Sequence, residues 1–247
     1  MKSSIWIQLA SVALLLVLWH AAALAADSAF LPGPPAVFAA LIHDIGTGEL
    51  PYHVGVTLAR VAVSFVIAML IGTAVGFLMG RVKPLDRFFD SWLILFLNVP
   101  ALVTIILAYV WFGLIEAAAV GAVALNKIPI VVVNVREGAR ALDRSYLEMA
   151  DVFQLDSWRV LRHVVLPQLY PFLVAAARSG LALIWKIVLV VELLGRGEGV
   201  GFQLYLFFQL FDVTHILAYT IAFIIIIQVL ELAILQPLER RATRWRL

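Results

Sequence analysis

Lys127, Lys186 and Glu192 stand inside otherwise apolar stretches, and Asn98 and Asn134 are further polar groups in similar company. A charge at the centre of a lipid-embedded helix costs about 2.5–3.5 kcal/mol on insertion scales. Such side chains therefore face a bundle interior, a water-filled cavity or a partner charge. Lys127 and Asn134 are seven residues apart, which places them on one helical face. Lys186 and Glu192 fall about 120° apart on an ideal helix, so they do not pair along their own helix. Two buried lysines suit the passage of an anion; a structural Lys–Glu pair between helices suits the same residues equally. Other chemistries find no footing. The five histidines are scattered without an HExxH spacing, and there are no cysteines to supply thiolates, disulfides or metal ligands. No nucleophile–base arrangement is visible. The phosphate-binding pattern GxxxxGK[ST] does not occur, so any ATP used must be hydrolysed by another chain.

The elements that hold these residues follow from composition. Of 247 residues 64% are hydrophobic and 14% charged, against about 25% charged in a soluble domain. There is too little polar surface to wet a globule of this size. Apolar runs of about 20 residues place spans at 5–26, 58–80, 91–114, 117–135, 171–194 and 213–235. The fold expected is an all-α integral membrane protein, a single domain of six transmembrane helices. The first run has a second reading, because Lys2 and the small residues AAALAAD at 21–27 resemble a cleavable signal peptide. Its apolar stretch exceeds the usual 7–15 residues of a signal core, which favours a retained helix.

Basic residues cluster in three segments: Arg81, Lys83 and Arg87; Arg136, Arg140, Arg144, Arg159 and Arg162; and Arg240, Arg241, Arg244 and Arg246. With six spans all three fall on one side, which places both termini in the cytoplasm. Arg178 lies close enough to the cytoplasmic end of its span to snorkel. In the second span Ala68, Gly72, Gly76 and Gly80 recur every fourth residue, a stripe that admits close approach by a neighbouring helix or a second subunit. Asn98 and Pro100 predict a kink in the third span. Residues 200–211 are apolar, aromatic and too short to cross, which suggests an interfacial or re-entrant helix.

Residues 136–170 are patterned as two short helices on the cytoplasmic side. Ser145 with Glu148 fits a capping box for a helix over 146–154, with Leu147, Ala150 and Asp151 grouped on its outward face. Asp156 and Ser157 suit the start of a second helix, which Pro167 should end.

The stretch EMADVFQLDSWRVLRHVVLP at 148–167 resembles the EAA loop of ABC importer permeases: Glu-Ala-Ala, three residues, Gly, nine residues, Ile, one residue, Leu-Pro. Glu148, Ala150, Leu166 and Pro167 match in register and Val164 replaces Ile. Met149 departs from the second Ala, and Gln154 stands at the Gly position. LPGPPAVFAAL at 31–41, the run 58–81, Trp111-Phe112-Gly113 and VVELLGRGEGVGF at 190–202 are similar to the nitrate, sulfonate, taurine and bicarbonate branch. The resemblance implies a permease subunit, paired with a second copy, two cytoplasmic ATPases and an extracytoplasmic solute-binding protein. It also implies that Glu148, Met149, Ala150, Asp151, Gln154, Leu155, Leu166 and Pro167 form the ATPase-coupling surface. No cofactor is expected on this chain, since ATP would be held by the partner. No nucleic-acid partner is expected either. A self-sufficient secondary transporter or channel is the other reading, weakened by the absence of an internal repeat.

Overall fold

A computed structural model describes residues 2–237, and the four arginines expected beyond the last span lie outside the described residues. Among the described residues the chain is helical throughout. It runs α1 (Lys2–Ala26), α2 (Pro34–Thr47), α3 (Glu49–Arg81), α4 (Lys83–Asn98), α5 (Ala101–Phe112) and α6 (Glu116–Arg140). It continues through α7 (Arg144–Val152), α8 (Ser157–Val160), a π turn (Leu161–Val165), α9 (Leu166–Gly195), α10 (Val200–Gln209) and α11 (Val213–Leu230). Among the described residues four helices are long and apolar enough to cross a membrane, or five if the bent pair α4 and α5 makes one crossing. The first expected span corresponds to α1, which is apolar over Ala10–Ala26.

The bundle is organised around α6, which α3, α5 and α9 enclose. Val61, Ile105, Val123, Ile184 and Val188 form one internal cluster, and Val131, Val135, Ala139, Leu169 and Ala176 another. A third, built from α2, α3, α10 and α11, holds Val37, Val54, Val200 and Tyr219. The surface is apolar too: Val63, Val66 and Leu70 of α3 and Trp92, Ile94 and Leu95 of α4 are all exposed. That distribution suits a lipid environment and would aggregate in water.

The small-residue stripe of α3 packs within the chain, against α6. A Cβ on Gly76 would meet the Val132 carbonyl oxygen at 2.7 Å, and one on Gly80 would meet Ala139 Cβ at 2.6 Å. Backbone-to-backbone contact of this kind is how helices associate where no hydrophobic effect drives them together.

Two prolines behave differently from expectation. The third span is broken, not kinked: Pro100 forces Val99 into an extended conformation, and α4 and α5 meet at 95°. Asn98 Nδ2 donates to the Ile94 carbonyl at 2.7 Å, occupying an acceptor freed at the end of α4. Pro167, by contrast, ends nothing. The helix runs from Ser157 to Gly195, and the π turn just before Pro167 widens the backbone where the ring displaces a carbonyl.

Gly76→Leu should lower stability by about 1–3 kcal/mol through overpacking against a backbone carbonyl. The check is the melting temperature in detergent. Gly121→Ala, at a position with no neighbouring atom within 4 Å, should leave it unchanged.

Candidate functional site

At one end of the bundle α7 hangs between α6 and the long helix. Its cap is Asp143, whose side chain accepts from the Ser145 N–H at 2.8 Å, so the expected Ser145–Glu148 capping box is not formed. The Asp143 N–H in turn donates to Gln168 Oε1 at 2.9 Å, tying the start of α7 to α9. The C-terminus closes with the Leu155 N–H on the Ala150 carbonyl and the Gln154 N–H on the Asp151 carbonyl, each at 3.0 Å. Gln154 takes φ +51°, the left-handed conformation that makes glycine the usual residue there. Asp156 then caps α8 by accepting from the Arg159 N–H.

This geometry revises which residues α7 presents. Ala150, expected on the outward face, is 1% exposed and packs under the helix, with Leu147 half-buried beside it. The exposed apolar surface is instead Met149, Val152 and Phe153, the last two 80% and 71% exposed. Glu148, Asp151 and Gln154 flank it in solvent, and Leu155 is half-buried. Leu166 and Pro167 are exposed on the long helix. A cleft of about 490 Å³ separates it from α7, lined by Tyr146, Met149, His163, Val164, Pro167 and Tyr170. Val152 and Phe153 fall outside the EAA pattern; the signal available in sequence was two bulky apolar residues just before a turn.

Behind α7, the end of α6 is pinned to α4. Arg136 Nη1 donates to Asp90 Oδ1 at 2.6 Å and to Asp86 Oδ1 at 3.3 Å, while Arg140 pairs with Asp86 and Glu137. The α7 end is therefore continuous, through ion pairs, with the broken span.

At the opposite end the polar residues gather around Glu192, which is fully buried. Its carboxylate accepts from Arg60 Nη1 at 2.7 Å, Thr57 Oγ1 at 2.9 Å and the Gly201 N–H at 2.8 Å. The last donor lies in the first turn of α10, where a negative charge is favoured. Arg60 also donates to the Glu198 carbonyl at 2.7 Å and to Glu116 at 2.5 Å, and Arg196 meets Glu116 at 2.5 Å. His53 Nδ1 accepts from the Gly199 N–H at 3.0 Å, and Thr57 Oγ1 accepts from the Val200 N–H at 2.9 Å. Gly199, at φ +109°, lies against the Glu192 carboxylate and leaves no room for a side chain. The 196–201 loop is thus stitched to α3 and α9. Glu192 finds its counter-charge in Arg60, a residue not singled out from the sequence because it sits beside the cleanest apolar run.

The other buried polar candidates are scattered. Lys127 is 2% exposed and has neither hydrogen bond nor ion pair among the described residues. Asn134 is half-buried and donates to the Ile130 carbonyl at 2.8 Å, and Asn98 is exposed. Lys186 is exposed on the outside of the bundle, its Nζ 5.4 Å from the Trp185 ring centroid. Arg178 does not merely snorkel; it lies 3.7 Å from Glu231. Asp44, 5% exposed, has its Oδ2 3.8 Å from His215 Nε2, whose Nδ1 is 2.6 Å from Asp212. Burial pushes the Asp44 carboxyl above its ordinary range, with His215 opposing.

Apolar helix faces outside, with most charges in paired internal sites or at the two ends, define a multi-pass membrane protein. Within that class the chain belongs to the family described as "Binding-protein-dependent transport system inner membrane component", whose model matches residues 68–236. It is a transport subunit and not an enzyme. It is 27% identical over 216 residues to the putative aliphatic sulfonates transport permease protein SsuC of Bacillus subtilis, covering 87% of this chain and 78% of that one. It is 28% identical over 238 residues to the taurine transport system permease protein TauC of Escherichia coli, covering 94% and 86%. In fold it is similar to a chain of the inward-facing MetNI methionine ABC transporter, with TM-score 0.70 at 19% identity, covering 81% of this chain and 98% of that one.

Glu192→Gln leaves Arg60 buried with a weaker partner and should cost about 3 kcal/mol, read as a lower melting temperature in detergent. Replacing both Arg60 and Glu192 by Met should restore most of that loss. Asp44 gives a pH signature. With its folded pKa above the ordinary 3.8, the folded state holds the proton more tightly, so stability falls as pH rises through the folded value. Asp44→Asn should remove that fall, measured as melting temperature between about pH 4 and pH 7.

Proposed function

We propose that this chain is the permease subunit of an ATP-driven importer for a small anion, with α7 as the helix that seats in a groove of the ATPase. The observation that carries this reading is the exposed apolar face Met149, Val152 and Phe153, on a short helix capped at both ends and anchored to two spans. An apolar helix face presented to solvent is suited to a groove in a partner. The crossings number six, with α1 the first and the α4–α5 pair the third. Both termini and α7 lie in the cytoplasm, a reading supported by the basic residues of the α3–α4 and α6–α9 segments. The assembly holds a second permease copy, two ATPases that bind the ATP, and an extracytoplasmic binding protein that delivers the solute. The chain itself takes no cofactor. Sulfonate and taurine permeases among its relatives support an anionic or sulfonate-bearing solute.

A displacement of α7 would pass directly into α6, and through Arg136 and Arg140 into α4. A ligand shifts a conformational equilibrium only by binding one state more tightly, so the ATPase groove must fit α7 differently with and without nucleotide. In detergent, the tagged chain should co-purify with its cognate ATPase. Val152→Asp with Phe153→Asp should abolish that complex without changing the permease's melting temperature. Glu148→Arg should leave ATP hydrolysis but lower uptake about tenfold. Solute transport by the purified chain alone, without ATPase, would overturn the reading in favour of a secondary transporter.

A further inference from the structure

The outward side of α9 carries charge at a depth where lipid does not tolerate it. Lys186 lies nine residues short of Gly195, the nearer end of the helix, which is about 13 Å at 1.5 Å per residue. The headgroup layer accounts for only about 5–7 Å of that. Helical side chains lean toward the helix N-terminus, so Lys186 points away from the Gly195 end and deeper into the span. Its position over Trp185, which packs on Phe223 of α11, holds it there. Two turns earlier on the same face stands Arg178, beside Glu231, and exposed Ala182 lies between them. The opposite face of α9, Ala176, Gly180, Ile184 and Val188, is buried against the rest of the bundle. Arg178, Ala182 and Lys186 therefore form a stripe directed away from the chain's own core. An ammonium group there needs water or a counter-ion, because neither an acyl chain nor a dry apolar surface supplies either.

We infer that this stripe borders a water-filled cleft between two copies of the chain, and that Lys186 is the cation an anionic solute meets as it crosses. The inference rests on the permease reading above. It separates the two lysines: Lys186 faces the cleft, whereas Lys127 lies on the α6 face between Val123 and Val131, inside the bundle. Ala182 gives the cleft width beside the charge.

This sequence holds no cysteine, so Lys186→Cys introduces its one thiol, and labelling is read on the permease separated from the ATPase. The full transporter, permease with its ATPase, is reconstituted in liposomes and exposed to the anionic thiol reagent MTSES during ATP turnover. Lys186→Cys and, separately, Ala182→Cys should react about tenfold or more faster than Leu70→Cys on the exposed apolar face of α3. Ala182→Cys, which retains Lys186, should also favour MTSES over the cationic MTSET, and adding Lys186→Met should erase that preference. Reaction at the Leu70→Cys rate, or no reaction with either reagent, would overturn the inference. A permease that binds no ATPase fails the earlier reading; one that binds it but shields Cys at 182 and 186 fails only this one.

Discussion

Gly72, Gly76 and Gly80 let α3 lie so close to α6 that a single added carbon at any of them would strike Val131, the Val132 carbonyl or Ala139. In lipid the apolar residues of two helices gain nothing by leaving their surroundings, so association must come from close packing and internal polar bonds. The α3–α6 contact supplies the first. It fixes α6 at the centre of the bundle, and α5 and α9 then close around it. Gly138 repeats the device on the other side of α6, where a Cβ would meet Phe172 of α9. Every other feature is placed relative to this rigid pair.

The two ends of the bundle are built differently because they have different tasks. At the Glu192 end, a buried ion pair with hydroxyl and backbone donors locks the 196–201 loop to α3 and α9. A buried pair contributes little net stability over apolar packing, but losing one partner strands the other charge. What such a cluster provides is a unique arrangement of the helices it joins. At the α7 end the contacts are few and peripheral: one backbone bond to Gln168, a buried alanine and a cluster of partly exposed ion pairs. α7 can therefore shift against the fixed end of α6 without dismantling the core.

Between these ends lies the broken span. Pro100 removes a donor and bars Val99 from helical geometry, so α4 and α5 turn through 95°. The bend opens an apolar cavity of about 670 Å³ against α6, lined in part by Phe96, Thr104, Trp111 and Leu125. The Arg136 and Arg140 ion pairs attach the near arm of this elbow to the helix that precedes α7.

Much of this was legible in sequence because it is local or compositional. The apolar runs, a disturbance near Asn98 and Pro100, the Asp156 cap and the short helix after residue 200 depend on neighbours a few residues away. The α3 stripe was legible as a contact surface, though not its partner. Pairings across the fold were beyond reach. Glu192 and Arg60 are 132 positions apart, and nothing in either segment specifies the other. Ala150 and Met149 are adjacent in the motif, yet one is buried and the other exposed, because they point about 100° apart and only one face of α7 packs on the bundle. Lys127 and Lys186 read alike as cations in apolar helices; burial separated them. Sequence by itself determined that this chain resides in lipid and where its apolar helices lie, since transfer free energy acts residue by residue. Tertiary structure alone decided which charges are paired, buried or exposed, since that depends on which faces of distant helices meet.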